Sequence, residues 1–351
     1  MANMAQAIRM ALHHGEKHQN LQNIFGEDVG PPLGGVFTVT QGLKTAWNTP
    51  LDERGIIGTA IGLSLTGSRC VAEVQFSDYI FNSIDLIKQA GMMCWLSQGR
   101  YTLPMVLMTP VGGGVHGSIY HSHSFDSWAT RFPGWKVVMP STPLKAYGLM
   151  ISAISDPNPV LYLIPKALLR QKGEEKIPGE PQDEGELKSM IDAPLQNREN
   201  WKPKWPDLQE YKIEIGKAQV VEAGSDLTLV SYGRTLHLCR EVTKKLKKEN
   251  ISIELIDMLS LYPYDWALIK KSIQKTKKIV FVNEDTEVTN FGEHLAYRTS
   301  KECFYDLFAP PKVIAGKNIP GVGLHPHFEE NTLPSFKRIE EEVRQLLQAQ
   351  P

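Results

Sequence analysis

The residues of this chain best suited to chemistry fall in three short stretches. In Thr49-Pro-Leu-Asp-Glu-Arg-Gly-Ile-Ile-Gly58 one carboxylate, Glu53, enters an otherwise tight and mostly apolar helix start, with Pro50 fixing φ and Asp52 placed to cap. A carboxylate there is costly without a partner that needs it, so Glu53 is either a capping residue or a working acid. Glu27 and Asp28 close the run Asn23-Ile-Phe-Gly26. Acids at a strand end either hold a ligand in an α/β fold or cap the next segment. Three histidines, His116, His121 and His123, lie within eight residues just after Gly112-Gly113-Gly114. A lone histidine is most often structural, whereas three in a glycine-rich loop after a strand point to a site. A zinc site would need a fourth ligand, and Asp126 is the nearby candidate. The glycine run either lets backbone approach a ligand or is only a tight turn.

These residues need elements to hold them. Apolar spacing from residue 4 to 19 predicts a helix, and Asn23–Gly30 predicts a short buried strand. A loop into a helix is expected from Gly34 to Leu43, then a helix over Thr49–Leu65, a strand over Ser68–Phe76 and a helix over Ser77–Ser97. A buried strand over Leu103–Thr109 runs into the glycines, and a helix at Leu144–Ser155 precedes a strand at Val160–Ile164. Strands alternating with helices indicate a parallel sheet covered on both faces. Residues 171–212 mix Lys, Glu, Pro and Gly with Trp201 and Trp205 and have no period, so they read as a linker lying along a surface. A second α/β unit begins near Ile213, with strands at Leu227–Gly233, Ile253–Asp257 and Lys278–Glu284 and helices at Leu236–Lys248, Trp266–Gln274 and Ser335–Gln348. Two domains, 1–170 and 213–351, joined by the 171–212 linker, are expected.

At 351 residues, 42% hydrophobic and 22% charged, the chain has the composition of a soluble globular protein of two domains. A net charge of −1 supplies no long-range field for nucleic acid or an anionic membrane. The basic run Lys244–Lys248 reads as a solvated helix face. Four scattered cysteines form no pair at disulfide or metal spacing, which fits a reducing compartment. No signal peptide and no run long enough to span a bilayer are visible, so a cytoplasmic location is expected.

The motifs Gly26-Glu-Asp-Val-Gly, Thr49-Pro-Leu-Asp-Glu, Ala72-Glu-Val-Gln-Phe-Ser-Asp-Tyr-Ile-Phe81, Tyr120-His-Ser-His-Ser124, Pro133-Gly-Trp-Lys-Val-Val-Met-Pro-Ser-Thr142 and Asp156-Pro-Asn-Pro-Val160 occur in a characteristic order, continued by Gly224–Gly233 and Ile256–Pro263. In that order the chain resembles the beta subunit of the decarboxylating component of 2-oxo acid dehydrogenase complexes, nearer the branched-chain branch. The resemblance implies a transketolase-like fold, a thiamine-pyrimidine-binding domain followed by a C-terminal domain. It implies thiamine diphosphate as cofactor, with Glu53 hydrogen-bonded to N1′ of its aminopyrimidine, Tyr79 stacked on the ring, and Leu51 and Gln75 beside it. Glu27 would belong to an acidic route linking paired cofactors. His121 would be the histidine that assists acyl transfer to the lipoyl arm.

The family's Gly-Asp-Gly motif with its downstream Asn, which holds Mg²⁺ and the diphosphate, is missing. By resemblance those ligands belong to an alpha subunit, so the partners implied are that subunit, in an α2β2 assembly, and a lipoyl-bearing acyltransferase core. The chain departs from the family in several places. His123 stands where Gln is common, Met108 where Arg is common, and Val106 replaces a Thr that helps bind potassium, which argues against a cation site near Leu103, Asp156 and Asn158. The helix expected after Gly42 is short, and Gly316–Pro334 follows the family only loosely. The alternatives to a branched-chain 2-oxo acid dehydrogenase are a pyruvate or acetoin enzyme, a transketolase-like transferase fragment and a non-catalytic paralogue.

Overall fold

The computed structural model describes residues 1–35, 37–194, 196 and 201–349. The chain forms two compact units, Met1–Pro110 with Arg131–Ile215, and Val111–Thr130 with Gly216–Pro351. The sequence gives no hint that residues 111–130 belong with the second unit.

The first unit opens with helix α1 (Met4–His18), started by a reciprocal capping box between Asn3 and Gln6. Strand β1 (Leu21–Gly26), strand β2 (Ala46–Asn48), helix α2 (Glu53–Leu65) and strand β3 (Arg69–Glu73) follow. Helix α3 (Ile84–Leu96) comes next, then strand β4 (Met105–Val111), which ends at the unit boundary. After the one-turn helix α4 (Asp126–Ala129) of the second unit, the chain returns with β5 (Lys136–Val138), α5 (Pro143–Ser155), β6 (Val160–Pro165) and α6 (Glu184–Ile191). These strands lie in the order β5-β6-β4-β3-β1-β2. The β1–β2, β1–β3, β3–β4 and β5–β6 pairs are parallel. Every residue of β4 and β6 is buried, as a sheet covered on both faces requires.

Two stretches differ from expectation. No helix forms among the described residues between Gly30 and Ala46, Val36 lying outside them; Gly34 and Gly35 turn the chain at φ of +79° and +80°, which a helix cannot contain. The expected helix from Ser77 winds first as a tighter 3-10 turn (Ser77–Ser83) and becomes α-helical only at Ile84. Particular contacts hold the 171–212 stretch on the first unit. Trp205 stacks on His13 with ring centres 4.2 Å apart. Buried Arg9 donates to the Ile191 carbonyl at 2.6 Å and to Asp192 at 2.9 Å. Leu195 and residues 197–200 of this stretch lie outside the described residues.

The second unit continues with β7 (Gln219–Glu222), β8 (Leu227–Ser231), α7 (Gly233–Lys247), β9 (Ile253–Asp257), β10 (Ser260–Tyr262), α8 (Trp266–Thr276) and β11 (Ile279–Thr286). It ends with α9 (Phe291–Glu302), β12 (Lys312–Gly316), α10 (Pro326–Thr332) and α11 (Phe336–Leu347). Its sheet runs β12-β11-β8-β9-β7, parallel except for the antiparallel edge strand β7. Leu236, Cys239, Val242 and Leu246 of α7 pack with Ile339 and Val343 of α11 in its core. The outward Lys245 pairs with Glu340 at 2.7 Å, as a solvated basic face would. The sequence reading missed β7, α9, β12 and α10, which are short or follow irregular turns. Among the described residues no helix is long and apolar enough to cross a membrane.

Candidate active site

In the first sheet β1 lies between β2 and β3. The chain therefore leaves β1 to one side and returns to the other, and ligands bind in the crevice that such a reversal opens at the C-terminal ends of parallel strands. Glu27 follows β1, Leu51 and Glu53 follow β2, and Gln75 follows β3. Tyr79 stands in the 3-10 turn, its ring set edge-on to Phe76 at 5.8 Å.

Glu53 is the first residue of α2. Asp52 occupies the N-cap position but makes no side-chain cap hydrogen bond, contrary to the expected capping. The Glu53 carboxylate accepts from the Asn82 amide at 3.1 Å, so it reaches across to the 3-10 turn instead of closing its own helix. Arg54 fixes this junction, donating to the Asn82 carbonyl at 2.7 Å and to both Asp85 oxygens at 2.6 and 2.8 Å. Gln75 donates to the Glu27 carbonyl and to Asp28, each at 3.4 Å. Burial, with the charges of Glu53 and Asp28, holds the Glu27 carboxyl above its usual pKa. Burial and the charges of Asp78, Glu53 and Glu27 raise the Tyr79 phenol. Leu51 is 80% exposed. The charges of Glu27, Asp28 and Glu53, the Tyr79 phenol and the Gln75 amide are thus linked to one another, with Leu51 exposed between β2 and α2. The Glu73 carboxyl at the end of β3 is buried and pushed up to about 8 by loss of solvent.

The histidine loop belongs to the second unit. There β8 lies between β9 and β11, giving a second reversal, and residues 111–130 lie against its strand ends. Glu284 in β11 accepts from the Gly113 amide at 2.6 Å, and Arg234 stands 3.2 Å from the same carboxylate. Glu329 in α10 accepts from the Gly114 amide at 2.7 Å and the His116 amide at 3.0 Å. Gly113 and Gly114 therefore give their N–H groups to the protein's own carboxylates, and Gly112 donates to the His123 carbonyl at 2.9 Å. His121 Nδ1 is 3.1 Å from the Gly117 carbonyl; a carbonyl only accepts, so Nδ1 carries the proton and Nε2 is the accepting nitrogen.

The zinc reading does not hold for this donor set. Among the described residues no three His, Cys, Asp or Glu side chains converge as a metal would require. His116 faces Glu329 at 3.6 Å, and His123 lies edge-on to Phe125. Asp126 is fully buried and accepts from the Tyr232 hydroxyl at 2.5 Å. Burial and the adjacent Asp285 raise its pKa well above the carboxylate range, so it holds a proton and is a poor ligand. Sequence reasoning missed Asn82, Glu73, Glu284, Glu329, Asp285 and Tyr232, and took Asp126 only as a candidate metal ligand. Of the missed residues only Glu73 carried a signal, an acid inside an apolar strand.

Residues 1–172 match the transketolase pyrimidine-binding domain, and residues 216–339 match the transketolase C-terminal domain. Over 348 residues the chain is 33% identical to 2-oxoisovalerate dehydrogenase subunit beta of Bacillus subtilis, covering 97% of each. The chain belongs to the family of 2-oxo acid dehydrogenase beta subunits. The pyruvate branch of that family is as similar: pyruvate dehydrogenase E1 component subunit beta of Acholeplasma laidlawii is 33% identical, over 99% of this chain and 98% of that one. A solved split gene transketolase, an inactive beta4 tetramer, shares the fold along the full length of both chains at a TM-score of 0.73 and 18% identity. The expected fold of two transketolase-like α/β domains is thus the one found.

Proposed function

We propose that this family member works as the beta subunit of a thiamine-diphosphate-dependent 2-oxo acid dehydrogenase, active with an alpha subunit in an α2β2 assembly. Its reaction is the oxidative decarboxylation of a branched-chain 2-oxo acid with transfer of the acyl group to a lipoyl arm of an acyltransferase core. The observation that carries this reading is the grouping of Glu27, Leu51, Glu53, Gln75 and Tyr79 at the first reversal.

The group fits an aminopyrimidine. Tyr79 offers an aromatic face, Leu51 an exposed apolar surface, Gln75 an amide, and Glu53 a carboxylate at the mouth of α2. When bound, thiamine diphosphate supplies the nucleophilic carbon and the electron sink that decarboxylation of a 2-oxo acid requires. Glu53 holds a proton at the ring nitrogen N1′. Burial and the nearby charge of Glu53 raise the cost of ionising Glu27, so Glu27 is suited to hold the next proton of a relay. His121, with Nε2 as its accepting nitrogen, is suited to move a proton during transfer to the lipoyl thiols.

This chain lacks the family's diphosphate and Mg²⁺ motif, so those ligands are assigned to the alpha subunit. Helix α2 supports such a partner: Ile56, Ile57 and Ala60 are buried, while Cβ positions at Gly58 and Gly62 meet nothing within 4 Å. Potassium is not part of the proposal, because Lys136 already pairs with Asp156 at 2.5 Å. Near-neutral charge leaves nucleic acid and membrane out of the partner list, and the cytoplasm is the proposed location.

The pyruvate relative, equally similar, favours pyruvate as the second reading. Calorimetry with Mg²⁺ and thiamine diphosphate tests the split site: little heat is expected from the chain alone, and binding once the alpha partner is added. Tight binding by the isolated chain overturns it. Turnover of the assembled enzyme across branched-chain acids, pyruvate and acetoin decides the substrate.

A further inference from the structure

Glu329 is buried, although it lies on the seven-residue α10 near the chain's end. Its two oxygens are divided between two loop amides, Oε1 at 2.7 Å from Gly114 N and Oε2 at 3.0 Å from His116 N. The same Oε2 stands 3.6 Å from His116 Nδ1. Both amides belong to residues in the left-handed region, Gly114 at φ +87° and His116 at +55°. Such a conformation is held at a non-glycine residue only where the surroundings over-determine it. The next polar link runs onward, from the Gly117 carbonyl to His121 Nδ1 at 3.1 Å. Leu333, one turn after Glu329, sits so near Gly113 that a Cβ there would lie 2.5 Å from its Cδ1. α10 therefore fits the loop at a glycine that admits no side chain.

We propose that Glu329 is a positioning residue for acyl transfer: by closing the turns at Gly114 and His116 it sets the stance of His121 and the orientation of His116. The inference rests on the proposed role of the histidine loop in transfer to lipoyl groups. Glu329 touches no reacting atom. Its work is to keep residues 113–121 in one backbone conformation, so that the proton-accepting nitrogen of His121 has a fixed place. A charged acceptor suits the task, because hydrogen bonds to an ionised oxygen are about twice as strong as neutral ones.

The test is Glu329→Gln in the assembled enzyme. The amide keeps one acceptor and turns an NH₂ group on the second N–H, so one turn opens while volume is conserved. Amide exchange by mass spectrometry should quicken about ten- to hundredfold in peptides spanning 111–123, with the peptides of β8 and β11 unchanged. Transfer to a free lipoyl domain should fall at least about tenfold, mainly in kcat, while decarboxylation followed with an artificial electron acceptor stays within about twofold of the parent. Unchanged exchange would show that Glu329 does not hold the loop. Faster exchange with equal loss in both half-reactions would make it a structural residue and overturn the proposal. A parent enzyme that decarboxylates no 2-oxo acid refutes the functional reading instead, and the exchange comparison still decides whether Glu329 is the latch.

Discussion

At the reversal in the first unit the strand ends leave Glu27, Glu53 and Gln75 together with an exposed Leu51, and burial with the charges of Glu53 and Asp28 raises the proton affinity of Glu27. At the reversal in the second unit the corresponding strand ends meet the chain's own residues 111–130, with Glu284 matched to Gly113 and Arg234, and Glu329 to Gly114 and His116. The same topology serves opposite ends. One crevice keeps its carboxylates partly unsatisfied, as a site that receives a ligand must, and the other spends them on fixing a loop. Chemistry should therefore be sensitive to single acids in the first unit, and geometry to single acids in the second.

The largest expected effect is at Glu53. Glu53→Gln keeps the contact with Asn82 but cannot hold the proton that a carboxylic acid holds, and a general acid–base contact is worth about 10²–10⁴-fold in rate. Turnover of the assembled enzyme should fall by that amount with assembly intact. Near-normal turnover would reduce Glu53 to a scaffold residue. His121→Ala comes next: transfer to lipoyl domains should drop by roughly 10²-fold, and the artificial-acceptor assay by clearly less. Equal losses would leave His121 as a support for the loop.

The two crevices were not equally legible in the sequence. Glu27 and Glu53 sit within a few residues of the strand or helix that positions them, so local pattern marked them as candidates, whereas Gln75 and Tyr79 came only with the family resemblance. The second crevice is made by contacts that span the chain: Gly114 and Glu329 are 215 residues apart. No periodic signal marks α10, whose role comes only from folding. Asp126 shows the same limit. By spacing it could have been a metal ligand, yet burial against Asp285 makes it a held acid. The misread helix after Gly34 failed for a local reason, since two glycines turn the chain with positive φ before any helical turn can close.

Asp126 also sharpens the comparison, because its raised pKa is a stability statement. Its neighbours are Asp285, the Tyr232 hydroxyl, the Ser127 amide and, beyond Tyr232, Glu284. The folded pKa lies above the unfolded one, so the protonated group stabilises fully below the ordinary carboxylate range and loses that contribution as pH rises. Asp126→Asn should replace the shared proton with an N–H, which Asp285 accepts at every pH. Melting temperatures measured from pH 5 to 9 should decline less steeply in the variant than in the parent. Parallel curves would mean that Asp126 is ionised in the fold.

Glu73 gives the first unit's counterpart, with the smallest effect expected on turnover. Its carboxyl is pushed up to about 8 by burial at the end of β3, and an unfolded glutamate titrates near 4.3. The folded state therefore binds the proton more tightly, and the stability it brings is complete at acid pH, erodes between about 4.3 and 8, and is absent above. The slope in that window is at most about 1.4 kcal/mol per pH unit. Glu73→Gln imitates the protonated acid, so the variant should be more stable than the parent by a margin that widens from pH 5 to pH 8 in urea titrations. Because Glu73 is buried and its raised pKa favours a retained proton at neutral pH, the same substitution should leave turnover near pH 7 within about twofold. A loss as large as that of Glu53→Gln would place Glu73 in the proton relay and extend the reactive crevice one layer into the sheet.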